Sequence, residues 1–175
     1  FCTWPSRGLG YAFSMESVRQ EIERELGFGL VPNVFAYADP APEAQTGLWK
    51  AFRHIVLRGL LPRTVKEMMG VVVSHENRSP YAKGVHLHAL MVQGVEGALL
   101  ETLAKGELPE GLPGKTGLLL RFAQTAARNP RDPAAVGLLQ GQFSPGEIAE
   151  AVAVVALFQM VNAWTDLRGI PLDPL

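Results

Sequence analysis

The chain has 175 residues, of which 47% are hydrophobic and 19% charged, and its formal net charge at pH 7 is -1. This length suits one domain that buries a core without disulfides, and the near-zero charge provides no field that would attract nucleic acid. The single cysteine, Cys2, excludes an intrachain disulfide framework and a cysteine-based zinc site, and it favours a cytoplasmic setting.

The longest apolar run and the start of the sequence bear on membrane insertion and targeting. The longest apolar run, residues 151–161, is shorter than the roughly 20 residues of a spanning helix, so we expect a soluble protein with no membrane partner. The opening FCTWPSRG has neither an initiator methionine nor a basic-then-apolar signal pattern. We therefore expect residues 1–13 to be disordered or extended, in a chain whose residues 1–175 form a single domain.

Apolar residues recur at spacings of three and four between the glycines and prolines, which predicts an all-α fold. Ser14 is the expected N-cap of the first helix, and Gly27 ends it. The next long helix is predicted over residues 42–58, with Gly59 after its end. It is expected to bury four apolar side chains: Leu48, Phe52, Ile55 and Val56.

The middle of the chain predicts two neighbouring helices, residues 62–76 and 80–93, joined by a tight turn through Asn77 and Arg78. The glycine- and proline-rich segment GELPEGLPGK, residues 106–115, is expected to be a loop or hinge. Beyond it, residues 118–126 predict an amphipathic helix.

Two helix starts are signalled near the end of the sequence. Asp132 is the expected cap of a helix that has Pro133 at its first position. Ser144 and Glu147 fit a capping box that opens the last helix, and Gly169 and Pro171 close it.

The charged fraction of 19% leaves more apolar surface than a monomer needs, because about 25% is typical. In addition, the last helix carries apolar residues around most of its circumference and must be covered on nearly all sides. We therefore expect a homo-oligomer, although a central position of this helix in the monomer would also account for the pattern.

The stretch SHENRSPYAKGVHLH, residues 74–88, contains the densest group of chemically active side chains. Ser79 followed by proline is typical of a helix start, and Ser79, Ala82 and His86 lie on one face of that helix. Glu67 lies on the preceding antiparallel helix. It can reach His86 if the two helices pack together.

The order Glu67, eleven residues, Ser79-Pro80-Tyr81-Ala82, three residues, His86 resembles a known motif. It is similar to the Glu-x11-Cys-x2-Cys-x3-His motif of the alkylhydroperoxidase D-like proteins, within the wider carboxymuconolactone decarboxylase family. The segments LVPNVFAYADPAPE (30–43), LPRTVKE (61–67) and FSPGEIAEAVAVVALFQMVNAWTDLRGIPLD (143–173) look like the peroxidase-related branch. The resemblance covers the chain from about residue 26 onward and implies an oligomeric alkylhydroperoxidase D-like helical bundle.

The chemistry departs from the family at the cysteines. The resemblance implies two cysteines that cycle between dithiol and disulfide, but Ser79 and Ala82 occupy those positions, with Tyr81 between them. A cysteine at a helix N-terminus can have its pKa lowered from about 8.5 to roughly 3.5–7.5, and serine cannot ionise comparably. Cys2 is remote in sequence and is an implausible substitute. We expect no thiol peroxidase activity.

Glu67, His86, Tyr81 and Ser79 remain as candidate catalytic residues, because imidazole titrates near neutrality and a carboxylate can orient it. Carboxymuconolactone decarboxylases need no cysteine pair, so the resemblance implies a second route, a cofactor-free proton-transfer or decarboxylase-type enzyme. Small-molecule binding at Glu67 and His86 is the related possibility. The alternative is a non-catalytic structural or interaction subunit. A cavity with room for a small molecule would favour the first interpretation, and a site sealed by side chains the second.

No cofactor or metal is expected. His86 and His88 lie two residues apart on a helix and point to different faces, which disfavours a shared metal. Arg63 and Lys66 are expected to be solvated or salt-bridged surface groups.

Overall fold

The computed structural model describes residues 17–174, and these residues form helices and no strand. The helices are α1 Val18–Leu26, α2 Asn33–Ala36, α3 Pro42–Ile55, α4 Arg63–Glu76, α5 Pro80–Val92, α6 Gly97–Ala104, α7 Gly114–Arg128, α8 Ala134–Gly137 and α9 Pro145–Leu167. The all-α prediction is confirmed. Cys2 and the segment 1–13 lie outside the described residues.

The helix ends follow local capping chemistry. The N-cap of α1 is Ser17 rather than Ser14, which lies outside the described residues, because Gln20 at the third helical position completes a capping box with Ser17. Gly27 ends α1 with a left-handed φ of 71°. Ser144 and Glu147 form the predicted capping box of α9.

Other boundaries differ from the prediction. Helix α3 ends at Ile55 rather than Arg58, and its most buried side chain is Trp49, with 1% exposed. Of the four side chains predicted to be buried, Val56 is fully buried, whereas Leu48, Phe52 and Ile55 are half-buried. Helix α6 was not predicted. The Asp132 carboxylate accepts a hydrogen bond from the amide of Ala134, so it caps α8 as expected.

Helix α4 is the centre of the bundle, packing against α5, α7 and α9, and its residues from Lys66 to Ser74 are all buried. One apolar cluster joins α4, α7 and α9, and includes Phe122 and Phe158. A second joins α1, α2 and α3 to the start of α5, and includes Trp49 and Tyr81. The Glu67–His86 region lies between these two clusters.

Lys66 is buried rather than solvated, with 0% exposed, so the prediction of a surface position was wrong. Its ammonium group donates to the carbonyl of Ile55 at 2.9 Å and to that of Arg58, and it pairs with Glu150 on α9. Glu150 also accepts from the amides of Leu60 (2.6 Å) and Leu61 (3.2 Å). These contacts tie the α3–α4 connection to α9.

Helix α9 has 23 residues and contains an 18-residue stretch with a mean hydropathy of 1.5, so by length and composition alone it could cross a membrane. It packs against α3, α4, α5 and α7, and Phe158 on its inner face is fully buried. Its exposed face is nonetheless apolar along most of its length. This stripe consists of Ala149, Val152, Ala156, Met160, Ala163 and Leu167.

Candidate functional site

Glu67 and His86 are in direct contact across the antiparallel pair α4 and α5. His86 Nδ1 lies 2.7 Å from Glu67 Oε2, and the two residues are 4% and 1% exposed. A charged carboxylate only accepts hydrogen bonds, so an ionised Glu67 accepts a hydrogen bond from the Nδ1–H of His86. In a neutral imidazole this tautomer leaves Nε2 as a base.

The imidazole ring is fixed on two sides. A Cβ atom at Gly70, one turn after Glu67 on α4, would lie 2.8 Å from three ring atoms of His86, so the face of the ring lies against the glycine. The ring of Phe158 on α9 packs at 4.4 Å between centroids and 69° between planes. The ring position therefore depends on a residue without a side chain.

Ser79 does not join this pair. It is the N-cap residue of α5 but makes no capping hydrogen bond, because its hydroxyl donates to Asp166 Oδ1 at 2.9 Å. It borders an open, polar surface pocket of about 520 Å³ together with His75, Arg78 and Lys83. This pocket does not include Glu67 or His86.

The Tyr81 hydroxyl is hydrogen-bonded to the backbone of α2 and to the C-terminal segment. Its hydroxyl donates to Asp173 Oδ2 at 2.6 Å and accepts from the amide of Val34 at 2.8 Å. Burial, together with the hydrogen bond to Asp173, raises the pKa of Tyr81 well above its usual value. Tyr81 therefore keeps its proton at neutral pH, which disfavours it as a base.

Two small cavities lie against His86. The first has a volume of about 20 Å³, and its polar lining residues are Arg63, Glu67 and His86. The second has a volume of about 30 Å³ and includes Tyr81 and Ala82 in its lining. Both share an apolar wall made of Val34, Phe35, Phe52 and Val85. Because one water needs roughly 10–15 Å³ of such volume, each cavity has room for no more than one or two waters.

Arg63 is the unexpected polar residue of the site. It lies one turn before Glu67 on α4, and its Nε is 3.6 Å from Glu67 Oε1. Both atoms are buried, and no group of the described residues hydrogen-bonds either of them. Its side chain is 31% exposed, so the rest of Arg63 extends toward the surface.

Sequence reasoning found Glu67 and His86 through their motif spacing but missed the residues that arrange them. The signal for Gly70 was available, since a glycine inside a helix is unfavourable unless close packing requires it. Asp166 and Asp173, which engage Ser79 and Tyr81, are 87 and 92 residues away from them in sequence. No local pattern could have paired them.

The described residues contain no group of three or more His, Cys, Asp and Glu side chains that could hold a metal ion. His88 is on the same helix as His86 but packs edge-on against Phe28, with the ring centroids 5.2 Å apart. The two histidine side chains therefore pack against different parts of the bundle.

The described residues have the same fold as solved structures of alkylhydroperoxidase D-like proteins. A peroxidase-related protein with an alkylhydroperoxidase AhpD core from Ralstonia eutropha JMP134 has a TM-score of 0.79 and 22% identity, covering 90% of this chain and 85% of its own. A peroxidase-related protein from Silicibacter sp. TM1040 has a TM-score of 0.79 and 23% identity, covering 88% and 82%.

The debrominase Bmp8 is a third structural neighbour. A cysteine-to-alanine variant of it, in complex with 2,3,4-tribromopyrrole, has a TM-score of 0.78 and 19% identity, covering 93% of this chain and 87% of its own. No family model and no curated protein matches the sequence. The described part of this chain therefore has the alkylhydroperoxidase D-like fold, and the likeness at this level of identity defines the fold alone.

Proposed function

We propose that this chain is a peroxidase-related protein of the alkylhydroperoxidase D-like fold that has no thiol peroxidase activity and uses Glu67 and His86 as a cofactor-free acid–base site. The observation that carries the proposal is the buried 2.7 Å contact between His86 Nδ1 and Glu67 Oε2. An imidazole oriented by a carboxylate can move a proton to or from a bound molecule. The molecule it acts on is small and mainly apolar.

The loss of thiol chemistry is supported by the sequence and by the surroundings of both motif positions. The chain has one cysteine, and Ser79 and Ala82 stand where the family motif has its pair. The Ser79 hydroxyl is engaged with Asp166, and Ala82 is 2% exposed in the wall of the second cavity. Neither residue can form or exchange a disulfide.

The substrate class is supported by the lining of the two cavities. Apart from Arg63, Glu67 and His86, the first cavity is lined by apolar side chains, among them Leu26 and Phe28. Its volume of about 20 Å³ means that a ligand enters only when this wall moves. The neighbouring fold of Bmp8 holds 2,3,4-tribromopyrrole, which supports a small ring compound as the probe for this chain.

The proposal can be tested with 2,3,4-tribromopyrrole in D₂O. We expect the wild-type protein to accelerate the exchange of its ring C–H proton for deuterium, measured by NMR, and to show a shifted His86 ring signal on binding. Glu67→Gln and His86→Gln should each remove the exchange. His54→Gln, which replaces an exposed histidine on α3, is the matched control and should leave it unchanged.

If 2,3,4-tribromopyrrole binds without exchange of its C–H proton, the site binds small molecules and the proposed acid–base role is contradicted. No binding and no exchange would contradict the proposal and favour the second candidate, a non-catalytic structural or interaction subunit. Two observations support that candidate: the cavities are closed, and the exposed stripe of α9 from Ala149 to Leu167 is apolar. A protein whose surviving role is assembly would need such a face more than an open site.

A further inference from the structure

We infer that Arg63 and Glu67 form a binding site for one oxygen atom beside His86, and that this site selects small apolar ligands that carry a hydroxyl group. The inference rests on the proposed function, because it names the class of ligand that enters the same cavity. It assigns Arg63 a role as a positioning residue.

Glu67 and Arg63 each have a buried polar atom without a hydrogen-bond partner among the described residues. Glu67 uses Oε2 for His86, while its second oxygen, Oε1, has no hydrogen-bond partner among the described residues. The Nε–H of Arg63 is likewise buried and unpartnered. Buried polar atoms normally have partners, so an unpaired donor and acceptor side by side indicate a group that joins them.

The two unpartnered atoms are too far apart for a direct hydrogen bond. Arg63 Nε and Glu67 Oε1 are 3.6 Å apart. This exceeds the range of about 2.7–3.2 Å for an N–H···O hydrogen bond, so the two groups form an ion pair without a direct hydrogen bond. One oxygen atom placed at a normal hydrogen-bond distance of about 2.8 Å can reach both atoms at once. The adjoining cavity of about 20 Å³ provides the room for that atom.

An atom that bridges Arg63 and Glu67 must both accept and donate a hydrogen bond. Arginine only donates and an ionised carboxylate only accepts, so the group between them must accept from Arg63 and donate to Glu67. Water and a hydroxyl group do both. An ether or carbonyl oxygen only accepts, an ammonium group only donates, and an anionic oxygen would face the carboxylate without a proton.

The surroundings define the rest of the ligand. Beyond the polar corner, the cavity is walled by Val34, Phe35, Phe52 and Val85, and the same four residues wall the second cavity. A ligand whose hydroxyl occupies the polar corner would place its remaining atoms along this wall, in contact with the His86 ring. Water fills the corner in the resting protein, and a small hydroxylated apolar ligand displaces it.

Phenol and toluene are suitable probes, since they have nearly the same shape and differ in the hydroxyl group. Their dissociation constants can be measured from the His86 ring signals of histidine-labelled wild-type protein and of Arg63→Met, which keeps an apolar stem but lacks the donor. Arg121→Met, at an exposed position on α7, is the matched control for loss of a positive charge.

We expect Arg63→Met to weaken phenol binding about tenfold, because a hydrogen bond to a charged group is lost, and to change toluene binding less than about threefold. Arg121→Met should change neither. An unchanged ratio of phenol to toluene affinity in Arg63→Met would overturn the one-oxygen site and leave the proposed function standing. If neither probe shifts a His86 signal in the wild-type protein, the one-oxygen site is overturned, and the exchange experiment with 2,3,4-tribromopyrrole decides the proposed function separately.

A second measurement is independent of the variant's folding. A high-resolution crystal structure of the wild-type protein should show an ordered water within about 3.2 Å of both Arg63 Nε and Glu67 Oε1. A direct hydrogen bond between these two atoms, with no oxygen between them, would overturn the inference.

Discussion

The face of the His86 ring on α5 packs directly against Gly70 on α4. Three ring atoms of the imidazole lie 2.8 Å from the position that a Cβ of residue 70 would occupy. Real Cβ atoms do not approach a ring this closely. The glycine therefore sets how near α5 can come to α4 at this point. Glu67 lies three residues earlier on the same helix, so one turn of α4 supplies both the hydrogen-bond acceptor and the space for the ring.

Replacing Gly70 by alanine should displace the His86 ring and break its contact with Glu67. We expect a loss of about 1–3 kcal/mol in the free energy of unfolding, because the added methyl overpacks the core. The matched control is Gly47→Ala in the middle of α3, where a Cβ would meet nothing within 4 Å. That change should stabilise the protein by up to about 1 kcal/mol. Denaturant titrations measure both, and equal effects would show that Gly70 has no special packing role.

Peroxide turnover with a dithiol reductant should be absent, because Ser79 and Ala82 cannot cycle between thiol and disulfide. The measurement is the rate of hydrogen peroxide consumption with dithiothreitol, compared with a protein-free blank. Cys2→Ser is the control for the one thiol in the chain, and it should change nothing. Dithiol-dependent turnover that survives Cys2→Ser would contradict the prediction.

Glu150→Gln should destabilise the protein by about 3 kcal/mol, because removing one partner of a buried ion pair leaves the Lys66 charge uncompensated. Glu76→Gln is the matched control: its partner Arg128 is 61% exposed, so its loss should amount to less than about 1 kcal/mol. Chemical denaturation at neutral pH measures both. Similar losses for the two variants would contradict the structural role of the buried pair.

The same pair makes an acid-dependent contribution. Burial raises the pKa of Glu150, but hydrogen bonds from Lys66 and from the amides of Leu60 and Leu61 outweigh it and hold the pKa below the ordinary value of 4.5. The stability from Glu150 is therefore present above pH 4.5 and is lost as the pH falls through the lowered pKa. Glu150→Gln should lack this part of the acid dependence.

Tyr81 contributes stability that is lost at high pH, whereas the contribution of Glu150 is lost at low pH. Tyr81→Phe should remove this alkaline dependence. The pKa of Tyr81 is raised above its ordinary value of 10.0 by burial and by Asp173, so the folded protein holds the phenol proton after the unfolded chain has released it. Its contribution is fully present below pH 10 and is lost as the pH rises further. The variant should lose about 1–3 kcal/mol at neutral pH and show a shallower decline above pH 10. Tyr37→Phe, at a position 38% exposed, is the control and should resemble the wild type.

Self-association through the exposed stripe of α9 should be visible by light scattering. We expect a mass that is a multiple of the 19.0 kDa monomer at micromolar concentration, because Val152 (41% exposed) and Met160 (46% exposed) continue an uncharged apolar face. Val152→Lys combined with Met160→Lys should reduce the mass, whereas Glu101→Lys on the exposed face of α6 should not. A wild-type mass of 19.0 kDa would refute homo-oligomer formation.

The sequence was sufficient for the fold class and for most long helices, because helical periodicity and caps such as Ser144 with Glu147 are local signals. Helix α6 was missed because its eight residues lie between glycine-containing turns and carry no cap. Ser14 was the predicted N-cap of α1 because serine favours that position, but Ser17 suits it equally, and the capping box with Gln20 selects Ser17.

The site was only partly predictable for a different reason. The spacing of Glu67 and His86 follows from two antiparallel helices joined by a short turn, and their 2.7 Å contact agrees with it. The burial of Lys66 could not be read from its own helix, because its compensating partner, Glu150, is on α9. Likewise, the Ser79 hydroxyl donates to Asp166, and Ala82 rather than Ser79 lines the second cavity. This arrangement depends on the position of the end of α9, which the sequence around Ser79 does not indicate.

The Asp173 carboxylate joins the amide of Asn33 and the hydroxyl of Tyr81, at sequence separations of 140 and 92 residues. The start of α2, which supplies part of the apolar wall beside His86, is thus anchored by one of the longest-range contacts in the described chain. Contacts of this kind form late, because a long loop must close before they contribute free energy. We expect Glu67 and His86 to stay open to solvent until α2 and the segment around Asp173 dock over them.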